Sequence, residues 1–307
     1  MTHLSMDKRL MMEWTVRAEE HNLLLREFAG LKGISKRGLT AIKYDGGGLF
    51  LNGEEVTVRK ACQTGDIVKV YFPPETRSKS LIPEDLGLEV LYEDSWLIAV
   101  YKPAGMNTIP SRDAQTGSLA NALAGYFDRQ EIAAGIHIAT RLDKDTSGVV
   151  LAAKYAHIHH LLSEMQQSNQ VNREYNAIAE GIVTAVKGTI DQPIAREPGS
   201  IITRMVDSHG QRAVTHYEVL AVGDRHTMLS FRLETGRTHQ IRVHASWLGH
   251  PLAGDDLYGG HCHFISRQAL HCRKLQLLHP VTQENLEVES PLPEDMIQCM
   301  KRTGMNG

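Results

Sequence analysis

The apolar residues of this chain fall mostly into short runs with a period of two, which is the pattern of half-buried strands. The alternation is clearest at residues 227–233, and a continuous apolar run at residues 149–153 predicts a buried strand. Similar runs predict further strands at residues 88–92, 96–101, 174–180 and 213–222. We therefore expect a sheet of many short strands.

Apolar residues with helical spacing are fewer. They predict helices at residues 118–127, where Ser118 is a suitable N-cap, at 156–167, and at 238–248, which Gly249 can terminate. Because strands outnumber helices and many are joined by hairpins, we predict an α+β fold rather than a doubly wound one. The predicted core is a mixed, largely antiparallel sheet flanked by helices.

The first 86 residues are predicted to form a terminus, a small domain and a linker. Residues 1–13 lack periodicity, so we expect a disordered terminus. Residues 14–72 contain two short helical segments, the second capped by Ser35, and a hairpin signal at Asn52-Gly53. The polar, proline-bearing residues 73–86 predict a linker, which leaves residues 87–307 for a second domain.

The bulk properties predict a cytoplasmic protein with no membrane partner. No apolar run is long enough to span a bilayer, and the first residues lack the order of a signal peptide. The four cysteines form no CxxC pair, so we expect reduced thiols rather than disulfides. No sustained heptad demands a partner, and a monomer is expected.

A net charge of −3 argues mildly against nucleic acid as a ligand, but the cations are clustered. Residues 32–43 carry four cations and no acid, and residues 232–244 carry three arginines against one acid. These two segments therefore supply candidate RNA contacts. The candidates are Lys36, Arg37 and Lys43 in the first segment and Arg237 and His239 in the second.

Residues 141–148 contain the clearest candidate chemistry. Arg141 stands two residues before Asp143, and a turn-prone Asp-Thr-Ser-Gly sequence then leads into the predicted buried strand. Such a turn anchored to a strand could hold a reactive carboxylate rigidly. Taken alone, an aspartate in this setting is more often a capping residue than a catalytic one.

Five segments together resemble the RluA-type pseudouridine synthases, over roughly residues 87–293. Residues 141–148 resemble the catalytic loop of that family, and the other segments follow its order along the chain. They are residues 100–105 (Val-Tyr-Lys-Pro-Ala-Gly), 173–175 (Arg-Glu-Tyr), 235–244 (Thr-Gly-Arg-Thr-His-Gln-Ile-Arg-Val-His) and 249–259. Residues 14–72 resemble the S4 RNA-binding domain, so the resemblance implies a small S4-like α+β domain beside the catalytic domain.

The resemblance implies an RNA pseudouridine synthase, an isomerase that needs neither cofactor nor metal. It would act on specific uridines of structured RNA, with ribosomal RNA favoured over transfer RNA. Asp143 would be the catalytic carboxylate, Arg242 its partner cation, and Tyr175 the wall against the flipped-out base and an aid to moving the C5 proton. Arg141 would fill the gap that the uridine leaves. Attack at C6, action at ribose C1′ and elimination through the ribose all stay open.

Three features qualify this hypothesis. Thr140 stands where the family usually has histidine, which leaves substrate detail open and permits an RNA-binding protein without catalysis as an alternative. Lys102, beside a proline, is predicted to be architectural. The cluster at residues 261–263 and 271–272 (His-Cys-His and His-Cys) permits a zinc hydrolase as a third hypothesis, but adjacent ligands fit a tetrahedral site poorly, so no metal is predicted.

Overall fold

The structure, a computed structural model, describes residues 9–305. Its N-terminal part is a four-stranded antiparallel sheet with two short helices. The elements are β1 (Met11–Thr15), α1 (Leu25–Leu31), α2 (Lys36–Tyr44), β2 (Gly48–Leu51), β3 (Glu54–Glu55) and β4 (Ile67–Tyr71). The strand order is β1-β4-β2-β3, so the first strand pairs with the last and closes the unit.

Local sequence signals in this part are confirmed. The side chain of Ser35 accepts a hydrogen bond from the backbone N–H of Gly38 and caps α2. Asn52 and Gly53 both have positive φ, at 52° and 89°, which is the conformation that a tight turn between β2 and β3 requires. These signals were readable because each depends on neighbours within a few residues.

The prediction that residues 1–13 are disordered is wrong for the last of these residues. Residues 11–13 belong to β1, and Met11 and Met12 are buried there. Pairing with β4 supplies their backbone partners, and Met12 joins the hydrophobic core, which compensates for the entropy of ordering them. Residues 1–8 of the predicted terminus lie outside the described residues.

The segment between β4 and the next strand contains no helix or strand in the described chain, as expected for a connection. It is nevertheless fastened to the second part of the molecule. Glu75 accepts hydrogen bonds from the backbone N–H of Ala156 at 2.6 Å and pairs with His137 at 2.8 Å. Asn121 donates to the carbonyl of Ile82 at 2.7 Å. The segment therefore follows one path over the surface rather than behaving as a free spacer.

The second part of the chain, as far as residue 305, forms a larger set of strands with four α-helices. Its elements are β5 (Glu89–Glu93), β6 (Leu97–Lys102), α3 (Leu119–Arg129), β7 (His137–Ile138), β8 (Ser147–Ala153), α4 (Ala156–Gln167), β9 (Val171–Glu180), β10 (Lys187–Asp191), β11 (Ile194–Arg196), β12 (Arg204–Val206), β13 (Val214–Val222), β14 (His226–Leu233), α5 (Gln240–Trp247), β15 (Leu270–Leu278), β16 (Asn285–Glu289) and α6 (Glu294–Arg302).

Ten of these strands form one mixed sheet in the order β10-β13-β14-β9-β15-β8-β6-β5, with β16 beside β15 and β7 beside β8. Among the described residues only β15 and β8 pair in parallel. The predicted α+β class, with a mixed and largely antiparallel sheet flanked by helices, is confirmed. Strands β11 and β12 form a separate hairpin, and β12 contacts α5.

Strand β8 is buried along its whole length, as its apolar run predicts. Its second residue, Gly148, has a φ of 120° and faces the backbone of β15. A Cβ atom there would lie 2.2 Å from the carbonyl oxygen of Cys272. Only glycine permits this approach, so the end of the loop that precedes β8 is fixed against β15.

The two parts of the molecule meet at a stacked ring pair. Phe72, just after β4, lies with its ring centroid 4.5 Å from that of His157 in α4, and the planes differ by 19°. The imidazole is buried, and its Nε2 has no hydrogen-bond partner among the described residues. Burial lowers the pKa of His157 to about 4.

We expect His157→Phe to remove part of the acid sensitivity of the fold. An unfolded histidine has a pKa near 6.5, so between pH 6.5 and 4 the unfolded wild-type chain binds more protons than the folded one. The free energy of unfolding of the wild-type protein therefore falls by up to about 3 kcal/mol as the pH decreases through this range. Phenylalanine keeps the stack and does not titrate. Urea unfolding of both proteins at pH 7 and 4.5 checks this; curves that shift equally would contradict it.

Candidate active site

A cavity of about 1060 Å³ opens between the loop that precedes β8, helix α4, strand β9 and the segment that leads into α5. It brings together six of the nine predicted site residues, which are Arg141, Asp143, Tyr175, Arg237, His239 and Arg242. The other three do not line it. Lys36, Arg37 and Lys43 are exposed on α2.

The loop that carries Asp143 is held by a buried cation. Lys102, at the end of β6, is fully buried, and its Nζ donates to the carbonyl of Lys144 at 2.9 Å. The same ammonium donates to the carbonyls of Pro103 and Met106 at 2.9 and 2.7 Å. The side chain of Lys102 therefore has the predicted architectural role, because it ties the loop of Asp143 to the loop after β6.

Two further side chains fix the same loop. The hydroxyl of Thr108 donates to the carbonyl of Leu142 at 2.7 Å. Arg267 donates to the carbonyl of Asp145 at 3.0 Å while its guanidinium pairs with Asp295 in the first turn of α6. Carbonyls on both sides of Asp143 are thus hydrogen-bonded, which limits the motion of the carboxylate.

We expect Lys102→Met to lower the free energy of unfolding by about 3 kcal/mol, because it removes three hydrogen bonds from a charged donor and leaves buried carbonyls without partners. Burial lowers the pKa of Lys102 to about 8, although Asp145 and Asp143 oppose the shift. An unfolded lysine titrates near 10.5, so wild type gains stability relative to the variant as pH rises from 8 to 10.5. Urea unfolding of both proteins at pH 7 and 10 measures the two effects. An equal difference in the free energy of unfolding at the two pH values would contradict the predicted pH dependence.

Arg242 lies between two carboxylates. Its Nη1 is 3.6 Å from Oδ2 of Asp143, and its Nε and Nη2 donate to Asp255 at 2.8 and 2.7 Å. Burial disfavours the charged guanidinium, but the hydrogen bonds and charge of Asp255 outweigh it and raise the pKa of Arg242. The bidentate partner fixes the orientation of Arg242, so one edge of the guanidinium faces Asp143.

His239 also faces Asp143, but from a different backbone position than the sequence predicts. The expected helix from residue 238 begins at Gln240, and His239 precedes it with a left-handed φ of 58°. Its Nε2 lies 3.9 Å from Oδ2 of Asp143. His239 and Arg242 therefore approach the carboxylate of Asp143 from a turn and a helix rather than from one helix.

Tyr175 lies in β9 with its ring buried at the cavity wall. Burial raises the pKa of Tyr175, and although the charge of Arg173 opposes the shift, the phenol stays protonated at neutral pH. Tyr175 is therefore a neutral aromatic surface rather than a phenolate base.

The remaining predicted residues differ in exposure. Arg141 and Arg237 are exposed at the rim, and Nε of Arg237 donates to the carbonyl of Arg212 at 3.0 Å. Thr140 is buried, and its hydroxyl accepts from the backbone N–H of Leu151 in β8 at 2.9 Å. The residue that departs from the family pattern thus supports the strand behind the loop.

The His/Cys cluster divides between two environments. His271 and Cys272 are buried in β15, where burial lowers the pKa of His271 to about 4 and raises that of Cys272 to about 12. His261 pairs with Glu180 at 2.8 Å. Among the described residues, no group of three or more His, Cys, Asp and Glu side chains could hold a metal ion.

Within residues 9–305 no helix is long and apolar enough to cross a membrane.

Asp255, Tyr258 and Arg267 support the site although no local sequence pattern assigns them a role. Asp255 and Tyr258 lie in segment 249–259, which resembles the family without showing what its side chains contact. Arg267 lies outside every segment that was singled out. All three act through partners that are distant along the chain, which no local pattern reveals.

Comparisons with known proteins identify the family of this chain. The family model for RNA pseudouridylate synthase matches residues 96–247. An uncharacterized RNA pseudouridine synthase of Bacillus subtilis (YjbO) is 47% identical over 91% of this chain and 99% of its own length. Ribosomal large subunit pseudouridine synthase D of Xylella fastidiosa is 36% identical over 83% of this chain and 80% of its own.

A solved structure shares the fold. Human RNA pseudouridylate synthase domain containing 1 superposes with a TM-score of 0.59 at 25% identity, over 70% of this chain and 89% of that one. The predicted family and isomerase activity are confirmed by these matches. Since relatives over 30% identical extend along most of the chain, this protein belongs to the RNA pseudouridine synthase family and is an RNA pseudouridine synthase.

Proposed function

We propose that Asp143 is the catalytic carboxylate of this synthase and that it acts on a uridine flipped out of large-subunit ribosomal RNA. The observation that carries the proposal is the position of Asp143, in the cavity and 3.6 Å from a guanidinium that Asp255 holds in place. The oriented guanidinium places a positive charge beside this carboxylate in a cavity from which bound substrate would exclude water.

The reaction breaks the bond between ribose C1′ and N1 of uracil and makes one between C1′ and C5, while C5 loses a proton and N1 gains one. Atoms and electrons balance within the nucleotide, so the reaction needs no redox partner. An anionic group near the ribose and base is required, and Asp143 supplies it whether it attacks C6, acts at C1′ or removes a ribose proton. The loop that Lys102, Thr108 and Arg267 fasten keeps this group in position.

Tyr175 is proposed as the wall that holds uracil while it is detached. Its ring forms part of the cavity wall, and stacking on an aromatic face tolerates rotation of the base. Because its pKa is raised by burial, the phenol keeps its proton and is a poor acceptor for the C5 proton. We therefore assign Tyr175 to holding the base rather than to removing that proton.

The exposed cations are proposed as RNA contacts. Arg141 and Arg237 stand at the rim of the cavity, where Arg141 can fill the gap left by the flipped nucleotide. His239 lines the cavity and would contact the bound nucleotide. Exposed side chains on α2 add phosphate affinity, and they are Lys36, Arg37 and Lys43.

The domain division is part of the proposal. Residues 14–72 would act as an S4-like RNA-binding domain, which β1 extends to residue 11, residues 73–86 as the connection, and residues 87–307 as the catalytic domain. The turn between α1 and α2 packs against α4, since a Cβ on Gly33 would lie 2.5 Å from Leu161. Helix α4 also lines the cavity, so RNA on α2 would lie near the catalytic opening.

Ribosomal RNA is favoured over transfer RNA because the Xylella relative is named for the large ribosomal subunit. Pseudouridine mapping in total RNA from cells with and without this protein tests the choice. We expect a large-subunit site to vanish and to return with the wild-type gene. If pseudouridine disappears only from transfer RNA, the assignment of ribosomal RNA as substrate is wrong. If no pseudouridine disappears, the proposal fails.

A further inference from the structure

His239 is held in a strained backbone conformation that points its ring into the cavity. A left-handed φ, here 58°, is unfavourable for an L-residue, and such strain persists only where the surroundings enforce it. The amide of Gln240 enforces it, since its oxygen accepts from the hydroxyl of Thr235 and the backbone N–H of Arg237 at 2.8 and 2.9 Å. The strain therefore has a local support and a defined result, which is the direction of the imidazole.

The hydrogen bonds around His239 favour one tautomer of its ring. The hydroxyl of Tyr258 accepts from the backbone N–H of Arg204 at 3.0 Å and lies 2.7 Å from Nδ1 of His239. If Nδ1 carried the proton, the phenol proton would have no acceptor among the hydrogen bonds of residues 9–305. The arrangement that pairs every group here has Tyr258 donating to Nδ1, which leaves the proton of the neutral ring on Nε2, the nitrogen that faces Asp143.

The neutral form of His239 is favoured by its surroundings. Burial lowers its pKa, and the cations Arg242 and Arg204 act in the same direction. The carboxylates of Asp143 and Asp255 oppose them. An N–H donor on Nε2 thus stands beside a carboxylate acceptor, with 3.9 Å between the nitrogen and Oδ2.

We propose that Nε2–H of His239 and Oδ2 of Asp143 together bind the ribose 2′-hydroxyl of the target uridine. A separation of 3.9 Å is too long for a direct hydrogen bond, but it admits an oxygen atom about 2.8 Å from both groups. Such an oxygen must accept from the imidazole and donate to the carboxylate. The inference rests on the proposed role of Asp143.

Among the groups of a nucleotide within an RNA chain, only the 2′-hydroxyl can both accept and donate in this way. Uracil carbonyls and phosphate oxygens only accept and would be repelled by the carboxylate, and uracil N3–H only donates. The 2′-hydroxyl is also attached next to C1′, where the glycosidic bond breaks. His239 is thus a positioning residue that places the ribose against Asp143 and distinguishes RNA from DNA.

A binding cycle tests the coupling between His239 and the hydroxyl. The probes are two synthetic stem-loops that carry either pseudouridine or 2′-deoxypseudouridine at the mapped site, neither of which reacts further. We expect loss of the 2′-hydroxyl to weaken binding to wild type by about tenfold, as for one or two hydrogen bonds. In His239→Phe, loss of the 2′-hydroxyl should weaken binding by less than about threefold. In His239→Gln, which keeps an N–H donor, the same loss should weaken binding by a factor between those of wild type and His239→Phe.

Equal affinity of wild type for the two stem-loops, or an equal loss in wild type and His239→Phe, would overturn the proposal. Arg237→Gln is the matched control, because a rim cation should weaken both complexes by one factor. These measurements need no turnover, so they stay readable if Asp143→Asn proves active and the catalytic proposal fails.

The tautomer has its own spectroscopic test. In ¹⁵N-histidine-labelled protein at pH 7.5, the signals lost in His239→Gln should show a protonated Nε2 and an unprotonated Nδ1. Tyr258→Phe should convert them to a mixture of tautomers. A proton on Nδ1 in the wild-type protein would contradict the assignment even if a binding variant failed to fold.

Discussion

Asp143→Asn is expected to abolish pseudouridine formation, with a fall in rate of at least about a thousandfold. The amide has nearly the shape of the carboxylate but carries no negative charge, so it can neither attack the nucleotide nor accept a proton from it. The side chain is partly exposed and its contact with Arg242 is 3.6 Å long, so the free energy of unfolding should change by less than about 1 kcal/mol. Single-turnover assays on a stem-loop with the mapped uridine measure the rate.

Asp145→Asn is the control for this experiment, since it makes the same change two residues away on one loop. Arg267 uses the backbone carbonyl of Asp145, which the substitution leaves in place. Activity within a few fold of wild type is expected for this control, and affinity for the stem-loop should be retained in both variants. Wild-type activity in Asp143→Asn would end the assignment of the carboxylate.

Arg242→Gln is expected to damage both stability and activity. It leaves the fully buried carboxylate of Asp255 without its cation, and breaking such a buried pair costs about 3–5 kcal/mol. It also removes the cation beside Asp143, so we expect a fall in rate of at least about a hundredfold. Urea unfolding and single-turnover assays on the same preparation measure the two effects.

The double variant with Asp255→Asn separates these effects. Two neutral amides remove the buried charge, so most of the lost stability should return while activity stays low. The difference in the free energy of unfolding between the single and the double variant measures the cost of leaving the carboxylate of Asp255 unpaired. Recovery of activity together with stability would show that Arg242 serves the fold alone.

The sequence by itself was sufficient wherever a structural decision depends on near neighbours. Ser35 and Ser118 cap their helices as predicted, the Asn52-Gly53 turn joins two strands, and Gly249 ends α5 with a φ of 85°. The apolar run before α4 forms a strand that is buried throughout. Backbone conformation and periodic burial are encoded within a few residues, which is why these elements were predictable.

Strand β1 could not be predicted from its own sequence. Its sequence, Met-Met-Glu-Trp-Thr, gives little strand signal alone, and its order comes from β4, which follows more than fifty residues later. A strand at the edge of a small sheet is decided by the partner that pairs with it. The predicted terminus, residues 1–13, therefore includes residues that belong to β1.

The sequence determined the family, the α+β class and which residue types stand in the segments that resemble the family. Only the tertiary structure decided their arrangement: Asp255 against Arg242, Tyr258 against His239, and Lys102 and Arg267 against the loop of Asp143. These contacts join residues between 13 and 122 positions apart. Hydrogen bonds and charges act over a few ångströms of space, so a pattern along the chain cannot specify them until the sheet has brought the partners together.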